Sequence, residues 1–142
     1  MIRQSEVAIR HHFSPQLHQS TAPFSHFVQH GDTGYTAGII GQDPRTGALG
    51  SDDVGKQCAA MLTNLETLLH EVGSGLSDIV RTTLYLTDYA DFAAINTAYA
   101  KHLQAPFPAR TTLQVAALPL GAKVQIDAIS TTSRFPQQKK DR

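Results

Sequence analysis

The 142-residue sequence has little that would tie it to an oxidising compartment, a membrane or a nucleic acid. Cys58 is the single cysteine, so no intrachain disulfide can form. No apolar run approaches the roughly 18 residues that a membrane-spanning helix needs, and the first residues lack the apolar core of a signal peptide. Lysine and arginine together number 12, as do aspartate and glutamate, so no net charge attracts nucleic acid or an anionic membrane. We therefore expect a cytoplasmic protein with neither a nucleic-acid nor a membrane partner.

The composition is that of an ordinary globular chain. Hydrophobic residues make up 41% and charged residues 17%, which is far from the composition of disordered proteins. A chain of this length fits one domain with one core. We expect a single domain over residues 1–142, with a loop over 11–24 and a solvated tail over 132–142.

Hydrophobic periodicity predicts two helices and six strands. Apolar side chains at three- and four-residue spacing indicate a helix over 51–72, with Ser51 or Asp52 as its cap and Cys58 on its buried stripe. A second helix is expected from about 88 to 103, with Phe92 among its inward residues. The predicted strands lie within 1–10 and near 26–30, 34–40, 79–86, 110–118 and 123–131.

The predicted order, βββαβαββ, is that of an α+β domain. A helix that joins two parallel strands makes a right-handed crossover, so both helices are expected on one face of a mixed six-stranded sheet. The opposite face would stay apolar and uncovered, which predicts that it meets other subunits.

The start of the strand near 110–118 carries a charge that is costly to bury without a partner. Alternation places Arg110 and Thr112 on one face, and if the last two strands pair, Gln125 comes near them. A guanidinium fork in such a polar set suits a carboxylate, which it can hold by two charge-assisted hydrogen bonds. A salt bridge at the surface or across a subunit contact would also account for Arg110, and the pattern alone leaves both interpretations open.

Five of the seven histidines fall within the first 30 residues, at positions 11, 12, 18, 26 and 30. No CxxC pair accompanies them, and we expect loop histidines rather than a metal site.

Four segments resemble the RidA/YjgF family: "PFSHFVQHGD", "GDTGYTAGIIGQDPRTGAL", "LSDIVRTTLYLTDYADFAAINTAY" and "FPARTTLQVAALPLGAKVQIDAI". The resemblance runs from about Pro23 to Ser130. It implies a chorismate mutase-like fold and a homotrimer whose sheets form a central barrel, with three clefts between subunits. It also implies that no cofactor is needed, and that reactive enamines and imines are hydrolysed to a 2-keto acid and ammonia.

Two site residues carry over from the family. Arg110 matches the arginine that binds the substrate carboxylate, and Asn96 matches an asparagine near the site. The resemblance places His26 at the mouth of the cleft.

Four positions depart from the family pattern. Phe27 stands in place of a tyrosine, Ala37 of a serine, Thr112 of a cysteine, and Gln125 of the glutamate that positions and activates water. Glutamine cannot accept a proton near neutral pH, which costs a general-base step about 10²–10⁴ in rate. The nearest carboxylate, Asp127, is expected to point away from Gln125.

Two functions therefore remain open. One is a deaminase of weakened or altered activity, in which Gln125 positions water. The other is a non-deaminating member that binds a small carboxylate. A ribonuclease activity, attributed to some relatives, is disfavoured by the balanced charge.

Overall fold

The computed structural model describes residues 8–132 and shows a mixed six-stranded sheet covered by two α-helices. The elements are β1 (Ile9–His12), β2 (Phe27–His30), β3 (Thr33–Thr36), α1 (Val54–Glu71), β4 (Ile79–Leu86), α2 (Phe92–His102), β5 (Ala109–Gln114) and β6 (Val124–Thr131). The predicted order of strands and helices is confirmed, and the architecture is the chorismate mutase-like α+β fold. Residues 1–7 and 133–142, which hold the start of the first predicted strand and nearly all of the predicted tail, lie outside the described residues.

The strands lie side by side in the order β1-β2-β3-β6-β4-β5. β4 and β5 run parallel and are joined through α2, while the other neighbours are antiparallel. The last two strands therefore do not pair, because β4 lies between them. This corrects the arrangement in which Gln125 would come beside Arg110.

One hydrophobic core joins the helices to one face of the sheet. Leu84 of β4 and Ile126 of β6 are fully buried there, as are Leu65 of α1 and Ile95 of α2. Cys58 is also 0% exposed, which confirms that it lies on the buried stripe. The other face remains open within one chain.

The ends of several elements differ from the predicted ones. α1 begins at Val54, because the side chain of Asp53, rather than Ser51 or Asp52, accepts a hydrogen bond from the Lys56 amide. The first strand reaches His12, two residues into the predicted loop. The second helix starts four residues late, after a short 3₁₀ turn over Tyr89–Asp91.

β3 ends four residues earlier than predicted, and this break shapes the site. The hydroxyl of Thr36 accepts a hydrogen bond from the Ala128 amide at 3.0 Å and donates to the Ala37 carbonyl at 2.8 Å. A side chain thus replaces the backbone in the ladder, and the chain pairs again only at a bridge between Ile39 and Ile126. Ala37 and Gly38 lie in the gap.

No helix within residues 8–132 is long and apolar enough to cross a membrane.

Candidate functional site

Arg110 is held by two neutral side chains at the start of β5. Its Nε donates to Oγ1 of Thr112 at 2.8 Å, and its Nη2 donates to Oδ1 of Asn96 at 2.7 Å. Thr112 follows two residues later on the same face of β5, and Asn96 projects from α2. The structure thus brings three of the predicted site residues together.

No group within residues 8–132 forms a hydrogen bond with the end of the Arg110 guanidinium. Nε and Nη2 form one edge of the planar group, so the two bonds leave Nη1 and the second hydrogen of Nη2 available. Among residues 8–132 the side-chain ion pairs are His12–Glu71 and His70–Glu66, so no carboxylate there neutralises Arg110. An uncompensated guanidinium with two free parallel donors is suited to a carboxylate.

Two aromatic rings of α2 flank this group. Cζ of Arg110 lies 5.5 Å from the ring centroid of Phe92 and 4.8 Å from that of Tyr99, within the range of cation–π attraction. Burial raises the pKa of Tyr99, whose hydroxyl bonds Thr82 Oγ1 at 2.8 Å, so the phenol is neutral. Phe92, predicted to point inward, is instead 38% exposed beside Arg110.

A second set of predicted residues lines an open cavity of about 700 Å³. Ala37, Gln125 and His26 contribute to its wall, together with apolar side chains that include Phe24 and Leu120. The Ala37 amide donates to the His26 carbonyl at 2.9 Å, which places these two residues side by side beyond the ends of β2 and β3. The volume and the mixed lining are typical of small-molecule sites.

Gln125 lies against the backbone of Gly38. A Cβ atom at Gly38 would overlap the Gln125 amide, so only glycine leaves the room that the side chain occupies. No group among the described residues forms a hydrogen bond with that amide. It can hold a water molecule or a ligand by hydrogen bonds, but it cannot take up a proton.

His26 forms part of the same wall and is nearly buried, with 6% of its surface exposed. Its Nδ1 accepts a hydrogen bond from the Ser14 amide at 2.8 Å, so the hydrogen of the neutral ring must be on Nε2. Burial lowers the pKa of His26, although the Glu71 carboxylate opposes this effect. The imidazole is therefore neutral at pH 7.

Glu71, the last residue of α1, holds the N-terminal segment that forms one wall of the cavity. Its carboxylate accepts hydrogen bonds from His12 Nε2 at 2.7 Å, Ser14 Oγ at 2.8 Å and Gln16 Nε2 at 2.8 Å. Burial alone would raise the pKa of Glu71, but these three hydrogen bonds outweigh it and lower the pKa. The Ser14 amide in turn donates a hydrogen bond to His26, so Glu71 stabilises the wall of the cavity through Ser14.

Phe27 is placed in the core rather than in the cavity. Its ring is 1% exposed and covers Gly34, where a Cβ atom would overlap the ring. Within one chain it therefore supplies packing next to His26.

The two sets of residues cannot meet within one chain. Arg110 pairs with Thr82, whose side chain faces the helices, whereas Gln125 pairs with Tyr85 on the open face of β4. The register also separates them by three residues along the sheet and two strands across it, about 10 Å in each direction. One chain thus places the Arg110 guanidinium on one face of the sheet and the Gln125 amide on the other.

The expectation for Asp127 was wrong. It lies two residues after Gln125, and residues two apart on a strand share a face. Its carboxylate accepts a hydrogen bond from the Tyr85 hydroxyl at 2.6 Å, and this bond raises the pKa of Tyr85.

Residues 8–132 contain no group of three histidine, cysteine, aspartate or glutamate side chains that could hold a metal ion. The sequence reasoning missed the aromatic walls of Arg110 and the support that Glu71 gives to His26. A signal for the first was present, because Phe92 and Tyr99 stand three or four residues from Asn96 on one helix. None was available for the second, since His12 and Glu71 are 59 residues apart.

The sequence and the fold are similar to those of known proteins. The model of the family Endoribonuclease L-PSP matches residues 15–132 and so covers every predicted site residue. Reactive Intermediate Deaminase A, chloroplastic, of Arabidopsis thaliana is 41% identical over 109 residues, which are 77% of this chain and 58% of that protein. The chain thus matches less than two thirds of the plant relative.

A second relative and a solved structure are matched over more of their length. The 2-iminobutanoate/2-iminopropanoate deaminase of Capra hircus is 39% identical over 76% of this chain and 79% of that protein. The crystal structure of TdcF from E. coli with bound serine has a TM-score of 0.79 and 32% identity, covering 86% of this chain and 98% of that one.

Proposed function

Because this chain belongs to the endoribonuclease L-PSP family, also called the RidA/YjgF family, we propose that it binds a small carboxylate-bearing metabolite at Arg110. The binding sites are clefts between the subunits of a homotrimer. The observation that carries the proposal is the free end of the guanidinium, held in place by Asn96 and Thr112 and without a carboxylate partner among residues 8–132.

The position of Gln125 supports a site shared between subunits. Arg110 and Gln125 lie on opposite faces of the sheet in one chain, so they can act on one ligand only if different subunits supply them. The open face also exposes Tyr35 by 45%, as expected of a surface that another subunit covers. Light scattering should give three times the 15.4 kDa mass of the chain, and the mass of a monomer would contradict the shared site.

The reaction that this site supports is hydrolysis of a 2-imino acid. Water adds to the imine carbon and ammonia leaves, which yields a 2-keto acid without any oxidant or cofactor. Arg110 holds the carboxylate, and Gln125 of the neighbouring subunit positions the water. Phe27 and Ala37 stand in place of a phenol and a hydroxyl that could donate further hydrogen bonds, whereas Thr112 keeps a hydroxyl.

Gln125 also favours a second function, binding without turnover. An amide cannot take the proton that water must lose, so the general-base contribution of about 10²–10⁴ is missing. A carboxylate ligand would then be held at Arg110 and released unchanged.

Binding is tested by titrating the protein with pyruvate in a calorimeter. Arg110→Met should weaken binding by roughly 10- to 100-fold, because a hydrogen-bonded charge pair contributes about 1.5–3 kcal/mol. Arg110→Lys keeps the charge but loses the fork, and should recover only part of the affinity. Arg45→Met, in an exposed turn, is the matched control and should bind as the wild type does. Equal affinity in Arg110→Met would refute the anchor.

Turnover is tested with 2-iminobutanoate generated in situ. If the protein is a weakened deaminase, the wild type accelerates release of 2-oxobutanoate and Arg110→Met does not. If it only binds, the wild type leaves the background rate unchanged. Gln125→Glu should raise the rate in either case, and a variant no faster than the wild type would show that the missing carboxylate is not the limiting defect.

A further inference from the structure

The His26 side chain, in the wall of the cavity, is held by contacts on three sides. Its ring lies between two phenylalanines, with centroids 4.2 Å from that of Phe13 and 5.3 Å from that of Phe24. The Ser14 amide fixes the third direction through Nδ1. The ring is therefore held in one orientation and one tautomer.

Nε2 is the part of this ring that remains free. No residue among 8–132 forms a hydrogen bond with Nε2. It is also not one of the enclosed, unpartnered side-chain atoms of these residues, which are Ser130 Oγ and Thr132 Oγ1. Because Nδ1 faces Ser14 and the residue belongs to the wall of the cavity, Nε2 is the atom of this ring that is left to meet a ligand there.

We propose that His26 is a specificity-determining residue that donates its Nε2 hydrogen to a neutral oxygen of the bound metabolite. The inference rests on the proposed function, because the carboxylate of the same ligand is assigned to Arg110 of another subunit. It names the ligand class: a small carboxylic acid that carries a second, uncharged oxygen acceptor, as an oxo acid does.

Three features of the wall favour an uncharged acceptor. Ala37 brings no hydroxyl to this wall, and His26 holds one N–H there in a fixed orientation. The imidazole is neutral, so it offers one N–H donor but no positive charge that would pair with a second carboxylate. The titratable neighbours of His26, which are Glu71 and His12, lie on the Ser14 side and are bonded to each other.

Two substitutions at His26 test the roles of its two ring nitrogens separately. In His26→Asn the amide oxygen can replace Nδ1 as acceptor for Ser14, but the side chain is too short to replace Nε2. In His26→Gln the amide nitrogen can reach the position of Nε2. The first variant keeps the structural contact and the second keeps the proposed ligand contact.

The test compares matched probes, butanoate with 2-oxobutanoate and pentanoate with 4-oxopentanoate, by titration calorimetry. One neutral hydrogen bond should make at least one oxo acid bind roughly 3- to 10-fold more tightly than its plain partner. The preference should persist in His26→Gln and vanish in His26→Asn, while affinity for the plain acids changes less than about 2-fold. A preference that survives in His26→Asn, or no preference in the wild type, overturns the role of His26.

A measurement on the wild type covers the case in which a variant fails to fold. In nitrogen-15 spectra of the histidines, the preferred oxo acid should shift the Nε2 signal of His26, while its plain partner should not. An unchanged Nε2 signal at saturation overturns the proposal. If Arg110→Met loses binding and His26→Asn keeps the preference for the oxo acid, the proposed carboxylate site at Arg110 stands. Only the role of His26 is then refuted. If no probe binds the wild type, both fail.

Discussion

Replacing Glu71 by glutamine tests how the wall of the cavity is held. The carboxylate is largely buried, with a side-chain exposure of 8%, and accepts hydrogen bonds from His12, Ser14 and Gln16. Glutamine has nearly the same shape and can keep one oxygen acceptor, so the change removes mainly the charge. Three charge-assisted bonds become neutral or are lost.

The expected cost follows from the strength of these bonds. A hydrogen bond to a charged group contributes about 1.5–3 kcal/mol and a neutral one about 0.5–1.5 kcal/mol, a difference of about 1 kcal/mol per bond. The bond from Gln16 is exposed and counts for less. We therefore expect a loss of about 2 kcal/mol in the free energy of unfolding, or roughly 6–10 °C in Tm for a chain of this length.

The direction of the Glu71 pKa shift determines how this stabilisation depends on pH. The pKa of Glu71 is lower in the folded protein than its ordinary value of 4.5, so the unfolded chain takes up the proton first as the pH falls. The stabilisation is complete above pH 4.5 and is lost as the pH falls through the folded pKa. The gap in Tm between wild type and Glu71→Gln should therefore be full at pH 7 and close below pH 4.5.

Thermal unfolding at one protein concentration measures both effects, since stability of an oligomer depends on concentration. Glu66→Gln is the matched control on the same helix. The Glu66 side chain is 44% exposed, and its contact with His70 is long, at 3.8 Å. Its cost should be below about 0.5 kcal/mol. Equal melting temperatures for the two variants at pH 7, or a Glu71→Gln gap as large at pH 3.5 as at pH 7, would refute the reasoning.

Two further outcomes follow from the core. Gly34→Ala should lower the free energy of unfolding in urea by about 1–3 kcal/mol, because the added Cβ overlaps the buried Phe27 ring. Gly50→Ala is the control and should be near neutral, because a Cβ there meets no atom within 4 Å. Equal costs for the two variants would contradict the overlap. Burial raises the pKa of Cys58 to about 11, so a disulfide reagent at pH 8 should label the native thiol at least ~100-fold more slowly than the thiol in urea, and similar rates would show that the side chain is accessible.

Part of the site could be predicted because it depends on neighbours in the chain. Arg110 and Thr112 share a face of one strand, since side chains two apart always do. The helical stripe that buries Cys58 was readable for the same reason, as its period is that of the helix. The cap of α1 was missed by one or two residues, because Ser51, Asp52 and Asp53 are all acceptable caps.

The order of the strands could not be predicted from local pattern. The pairing of the last two strands seemed plausible because they are consecutive, but the parallel partner of β5 is β4, joined through α2. β6 instead occupies the place between β3 and β4, where both of its edges are paired. This strand order pairs backbone N–H and C=O groups across the whole sheet. It cannot be read from a short stretch of sequence, because the paired strands are far apart in the chain.

The amino-acid sequence by itself determined which side chains share a face of each helix or strand, because alternation and helical spacing are properties of neighbouring residues. Together with the resemblance to the family, it predicted Arg110 as an anchor and Gln125 as a departure from a proton acceptor. Only the tertiary structure decided that these two residues lie on opposite faces, and that Ser14 fixes the tautomer of His26 in the wall of a cavity. Those facts depend on contacts between residues far apart in the chain, such as Ser14, Glu71 and His12, and packing of the whole domain selects them.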